Sequence, residues 1–140
     1  MIKALMFCLV LLTIQQPTNN PHLTIKVSNI EKIKGEIKIG VFNTGTNFLK
    51  EGHAIKNYSI KVENSTAVLT IKDLPKGEYA ITMYHDQNSD NVCNRNFIGI
   101  PKEPYGFSNN IKPSMSAPKY EDCKFDLTEN KTLHIKLINY

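Results

Sequence analysis

From Leu23 to Leu137, apolar side chains recur at every second position. They fall into the runs Leu23, Ile25, Val27; Ile37, Ile39, Val41; Tyr58, Ile60, Val62; Val68 with Leu69 and Ile71; Tyr79, Ile81, Met83, His85; Cys123, Phe125, Leu127; and Leu133, Ile135, Leu137. A period of two places alternate side chains on opposite faces of an extended chain, so each run reads as a half-buried strand and hardly any helix is expected. Turns separate the runs at Lys34-Gly35, Glu63-Asn64-Ser65, Asp73-Leu74-Pro75-Lys76-Gly77 and Glu129-Asn130-Lys131. Residues 44–52 form a polar connection with room for one short helical turn. Seven short strands with one buried face each predict an all-β, seven-stranded antiparallel β-sandwich. With 140 residues, 41% of them apolar, the chain has enough core for one domain and too few residues for two.

The first residues have a different character. Lys3 precedes the apolar run Ala4 to Ile14, the pattern of a secretory signal that is too short to cross a bilayer. The expected division is a signal peptide over residues 1–19 and a β-sandwich domain over 20–140. The mature chain is then exported, to the periplasm, the outer surface or the medium, with no transmembrane span. Removing the leader, with its Cys8, leaves Cys93 and Cys123. An even count in an exported chain permits one disulfide, closing a loop of about 30 residues and contributing roughly 3 kcal/mol; two free thiols are the alternative.

The formal charge of +4 comes from lysines scattered singly along the strands, and Arg95 is the single arginine. Without a basic stripe interleaved with aromatic residues, nucleic acid is excluded as a partner.

Chemistry concentrates between Asp86 and Glu121, where periodicity is lost and prolines accumulate; loops that long inside a compact domain are commonly functional. Asp86, Asn88, Asp90, Val92 and Asn94 place oxygens at alternate positions, a spacing that suits calcium. Phe97 stands where an EF-hand would supply its bidentate glutamate, and Asx-rich turns also bond to their own amides. A calcium-organised turn and a self-bonded turn therefore both fit. His85, Asp86 and Glu103, with Asp122 as a further acid group, invite a hydrolase reading on an extracellular sugar or peptide. No G-x-S-x-G elbow, H-E-x-x-H pair or C-x-x-C pair accompanies them. Tyr105-Gly106-Phe107-Ser108-Asn109-Asn110 sets two aromatic rings beside fixed polar groups. With His85 and Glu103, the residues Tyr105, Phe107, Asn109 and Asn110 form a candidate surface for a protein, peptide or glycan; alternatively the rings cap an open end of the sandwich.

The ordered series Asp73-Leu74-Pro75-x-Gly77-x-Tyr79-Ala80, His85-Asp86-x-Asn88-x-Asp90 and Asn96-Phe97-x-Gly99-x-Pro101-x-Glu103-x-Tyr105-Gly106-Phe107-Ser108-Asn109-Asn110 resembles the domain-of-unknown-function 2141 family of bacterial exported proteins, over about residues 22 to 140. The segment around Leu74-Pro75-x-Gly77-x-Tyr79 is also similar to carboxypeptidase regulatory-like and transthyretin-like sandwiches, mostly accessory or binding modules. The resemblance implies an exported immunoglobulin-like or transthyretin-like domain without an assigned activity. Where the family reads N-x-N-G, this chain has Asn88-Ser89-Asp90-Asn91, and Asn94 stands where aspartate is common, which weakens any calcium site. Cys93 and Cys123 replace positions ordinarily apolar, and their joint appearance favours the disulfide. The function expected is a non-catalytic binding or accessory module whose 85–110 loop recognises the partner, with a hydrolase or a structural envelope protein as alternatives.

Overall fold

The computed structural model describes residues 19–140. The leader expected over residues 1–19 lies outside the described residues but for Asn19.

Eight strands form two sheets: β1 (Leu23–Ser28), β2 (Glu36–Phe42), β3 (Lys56–Lys61), β4 (Ala67–Ile71), β5 (Gly77–Asp86), β6 (Tyr105–Phe107), β7 (Phe125–Leu127) and β8 (Lys131–Lys136). The smaller sheet has the order β4-β1-β8; the larger runs β3-β2-β5-β6, with β7 also pairing β5. Their inner faces meet in one core made of Leu23, Ile25 and Val27 from β1, Ile37, Ile39 and Val41 from β2, Ile81 and Met83 from β5, and Ile71, Leu127 and Ile135. Each of these is an inward position of the alternation, and burying each side chain contributes about 1.5–3 kcal/mol. Among the described residues, this core cluster draws on residues 23–137.

Two expectations change. Tyr105–Phe107, within the segment read as irregular, is an eighth strand. The sheets are also not wholly antiparallel, because β8 lies parallel to β1 with Leu23 opposite Lys131 and Ser28 opposite Lys136. The turn after β7 sends the chain across to the smaller sheet, where it must run alongside the first strand. Side chains lock both ends of that pairing. Asn130 Oδ1 accepts from the His22 amide at 2.7 Å, and Asn29 Nδ2 donates to the Leu137 carbonyl at 2.8 Å.

At the entry to β5, the Tyr79 hydroxyl donates to the Pro75 carbonyl at 2.8 Å, fixing the corner where the chain crosses between sheets. Beyond β8, Ile138 exchanges two backbone hydrogen bonds with Tyr105, at 2.7 and 3.2 Å, and closes one side of the sandwich. Among the described residues no strand pairs with the outer edges of β3 and β4; Lys56 and Lys61 on β3 are exposed, a disposition that discourages edge-to-edge pairing.

Candidate functional site

The outer face of the larger sheet is not the solvated surface that alternation would give. Gly40 and Phe42 from β2, Ala80, Thr82 and Tyr84 from β5, and Tyr105 and Phe107 from β6 point away from the core, and these positions carry no charge. Phe42, Ala80, Tyr105, Phe107, Tyr120 and Cys123 form a second buried cluster there, joined by Phe48, Leu49 and Tyr84. Its rings meet edge to face, Phe42 on Phe48 at 5.4 Å, Phe48 on Tyr120 at 5.8 Å and Tyr105 on Phe107 at 5.7 Å, the geometry that aligns ring edges with ring faces.

Three segments rise around this layer. One is the connection 44–54, a series of tight turns closed by Phe48 N–H to Gly45 C=O at 3.3 Å and Lys50 N–H to Asn47 C=O at 3.1 Å. The second is 91–101 and the third 113–118. Between them lies a cleft of about 740 Å³ floored by Gly40, Thr82 and Tyr84, with Leu49, Ile100 and Tyr140 among its walls. That volume falls within the range of small-ligand sites. Gly40 is closely covered: a Cβ there would stand 3.3 Å from Phe42 Cε2, which would have to give by a few tenths of an ångström, and 3.4 Å from Thr82 Oγ1. Burial pushes the Tyr84 hydroxyl up to about 12, assisted by the charges of Asp86, Cys93, Glu103 and Asp90. The tyrosine is thus a neutral hydrogen-bonding group at the floor. Burial likewise raises the Cys93 thiol, which Arg95 partly offsets.

The loop 86–94 is tied to itself. The buried Asp86 carboxylate accepts from the Asp90 amide at 3.2 Å and the Asn91 amide at 2.9 Å. Asp90 accepts from the Val92 amide at 2.9 Å and from the side-chain amides of Asn88 at 2.8 Å and Asn94 at 2.9 Å. These bonds, with Asn94 first, hold its carboxyl below the ordinary range. Ser89 and Asn91 take the left-handed conformation that lets the chain turn so tightly. The five residues proposed as calcium ligands, Asp86, Asn88, Asp90, Val92 and Asn94, do share one turn. Their carboxylate oxygens face the loop's own donors, which is the self-bonded arrangement. Among the described residues, no group of three or more His, Cys, Asp or Glu side chains could hold a metal ion.

His85, Asp86 and Glu103 come close in the fold but not into one cleft. His85 faces inward at the end of β5, fully buried, with Nε2 at 2.7 Å from the Lys34 carbonyl. Nε2 therefore carries the proton, and Nδ1 has no partner. Asp86 points to the opposite face. Glu103, also buried, accepts from the Gln87 amide at 3.0 Å and the Asn94 amide at 3.4 Å, pinning the two ends of the loop together.

The Tyr105 to Asn110 segment corrects the expected aromatic surface. Tyr105 and Phe107 are buried because they sit beneath the flanking loops, and so the rings cap the sheet. Gly106 faces inward, where a Cβ would come within 3.0 Å of Ile135 Cγ2. The fully buried Ser108 hydroxyl fills the gap between β6 and β7 along β5: it accepts from the Ile81 amide at 2.9 Å and donates to the Cys123 carbonyl. Asn109 and Asn110, both left-handed, extend this stitching. Asn109 Nδ2 donates to the Asp122 and Lys124 carbonyls at 3.1 and 2.9 Å. Asn110 behaves like a strand residue against the β8 edge, donating to the His134 carbonyl and accepting from the Lys136 amide, both at 2.8 Å.

The expected disulfide is likewise not formed. Cys93 and Cys123 are both free thiols. Cys123 lies in the helical turn Tyr120–Cys123, inside the second aromatic cluster, where burial drives its thiol to about 11, whereas Cys93 lines the cleft.

Sequence reasoning missed the cleft floor. Its signal was present in Gly40-Val41-Phe42 and Tyr79-Ala80-Ile81-Thr82-Met83-Tyr84, where neither face of the strand carries charge, as in a sheet covered on both sides.

Comparison with curated proteins and with solved structures finds no match. A family model described as an uncharacterized protein conserved in bacteria (DUF2141) matches residues 25–136, from β1 through the last residue of β8, and the chain belongs to that family.

Proposed function

We propose that this protein is an exported, non-catalytic binding or accessory module of the bacterial envelope, and that its recognition site is the cleft on the outer face of the larger sheet. The observation that carries the reading is the cleft itself, about 740 Å³ over a floor of Gly40, Thr82 and Tyr84 with Lys38 at its side, and between walls that expose apolar side chains. Apolar surface of that kind, with a few polar groups set into it, suits a peptide or glycan. The 91–101 half of the expected recognition loop supplies one wall; Tyr105 and Phe107 shape the floor from beneath. The Lys3 and Ala4–Ile14 pattern supports export. The Tyr79 corner supports an immunoglobulin-like or transthyretin-like ancestry for the sandwich. No observation favours the hydrolase, whose two carboxylates are engaged by loop amides.

A phage-displayed peptide library panned against residues 19–140 tests this reading, with Thr82→Trp as the comparison because the indole would fill the cleft from its floor. Peptides selected on the wild-type domain are expected to lose at least about tenfold in affinity for Thr82→Trp, as one displaced apolar anchor would require. Equal binding to both, or no enrichment over Thr82→Trp, would remove the cleft as the recognition site.

A further inference from the structure

We infer that two of the loops that wall the cleft, 91–102 and 111–119, dock the protein onto an anionic lipid bilayer. These segments contain Arg95, Lys102, Lys112 and Lys119 and no carboxylate. Their four positive charges equal the formal net charge of the whole chain, +4, so the remainder is balanced. All four cations are exposed. Of the acids that flank these segments, Asp90 is turned into its own loop, Glu103 is buried and accepts from the Gln87 and Asn94 amides, Asp122 accepts from the Lys119 amide and Glu121 is paired with Lys124; Glu51 belongs to the 44–54 connection of the cleft.

The same two segments carry the most exposed large apolar side chains of the described residues, Phe97 at 100% and Met115 at 99%. Val92 and Ile98 beside Phe97, and the nearby Tyr140, are also exposed. Phe97 is not left out by a loose chain. The Asn96 amide donates to the Ile100 carbonyl at 2.8 Å, the Gly99 amide to the Asn96 carbonyl at 3.0 Å, and Asn96 Oδ1 accepts from the Ile98 and Ile100 amides at 3.1 and 3.0 Å. Arg95 Nη1 closes the hairpin onto the Gly99 carbonyl at 3.1 Å. A built turn thus holds Phe97 and Ile98 at its tip.

Exposed apolar side chains and exposed cations carried by the same loops are the composition of interfacial insertion. Aromatic and aliphatic groups enter the acyl boundary while lysine and arginine meet anionic headgroups. A protein partner would be met by one packed apolar centre with charge at its rim, whereas here the apolar groups protrude at two separate loops. The inference does not depend on a ligand in the cleft.

The test is flotation of residues 19–140 with vesicles of phosphatidylglycerol and phosphatidylcholine in equal parts, and with phosphatidylcholine alone. Binding is expected on the anionic vesicles only, weakening as salt is raised. Phe97→Ser with Met115→Ser should weaken it at least about tenfold, and Lys102→Gln with Lys112→Gln by about fivefold per cation removed. Near-UV circular dichroism checks that these surface variants remain folded. Thr82→Trp should float like the wild type, which separates this proposal from the cleft reading. Absence of binding to anionic vesicles, equal binding to neutral ones, or full binding by the Phe97→Ser, Met115→Ser variant would overturn the proposal. Tighter binding to poly-L-glutamate than to vesicles at matched charge would also overturn it, in favour of an acidic protein.

Discussion

Ser108→Ala isolates the stitch that joins β6 to β7. The hydroxyl is fully buried, and it satisfies the Ile81 amide at 2.9 Å and the Cys123 carbonyl. Alanine removes one oxygen and leaves both backbone groups without a partner, while the small void left is of little weight. An unsatisfied buried donor or acceptor costs about 1–3 kcal/mol, so two of them cost about 2–6 kcal/mol, and about 3 kcal/mol is expected if part of the strain relaxes. For a domain of this size, a loss of 1 kcal/mol lowers the melting temperature by about 4 °C, which puts the variant about 12 °C below wild type. Far-UV circular dichroism melts and urea titration of residues 19–140 measure it, with the urea midpoint falling at unchanged slope. Ser59→Ala is the control, because its hydroxyl, bonded to Glu36 at 2.9 Å, is exposed, and a loss below about 0.5 kcal/mol is expected there. A Ser108→Ala loss under about 1 kcal/mol would refute the reasoning, showing that water reaches Ile81 and Cys123 and that the 105–110 segment is not a seal.

Asp73 offers a pH test. The Lys56 ammonium at 2.8 Å, and then the Tyr58 hydroxyl at 2.7 Å, hold its carboxyl below the ordinary range; a depressed carboxylate stabilises the fold above its unfolded pKa and loses that contribution as pH falls through the folded one. Tyr58→Phe should therefore move the NMR titration of Asp73 upward, and an unmoved titration would discard the Tyr58 bond as a cause. For the 86–94 loop, whose carboxylates already face its own amides, melts with excess calcium and with chelator should agree within about 1 °C; a saturating ligand of the folded state would add about 2.7 kcal/mol at one hundred times its dissociation constant, and a rise of several degrees abolished by Asp86→Ala would show that calcium displaces those bonds.

The seven apolar runs were legible because a strand with one buried face must alternate, and each contains a strand of the structure, although Cys123 falls in the helical turn before β7 and Val62 and Leu137 fall just past β3 and β8. Tyr105–Phe107 escaped because three residues are too few to display a period, and because both its faces are buried. Tyr105 and Phe107 go beneath the loops, whereas Gly106 faces Ile135. The parallel β1–β8 pair escaped for another reason. Strand direction depends on which sheet the chain enters after the Glu129-Asn130 turn, and neither alternation nor turn chemistry encodes that choice.

The polar loop shows where composition stops being a guide to function. Asp86, Glu103, Asn109 and Asn110 stand out in the sequence as chemistry because they are polar and clustered. Their donors and acceptors are spent on backbone groups that a long irregular segment would otherwise leave unpaired beside a buried sheet edge. A chain that covers a sheet face without strands of its own needs such residues in proportion to the backbone it buries. The same requirement frees the residues without polar duties, Phe97, Ile98 and Met115, to stand outside. In this fold, then, the polar cluster marks the scaffold of the loop, and the exposed apolar side chains on its built turn are what the proposed bilayer contact rests on.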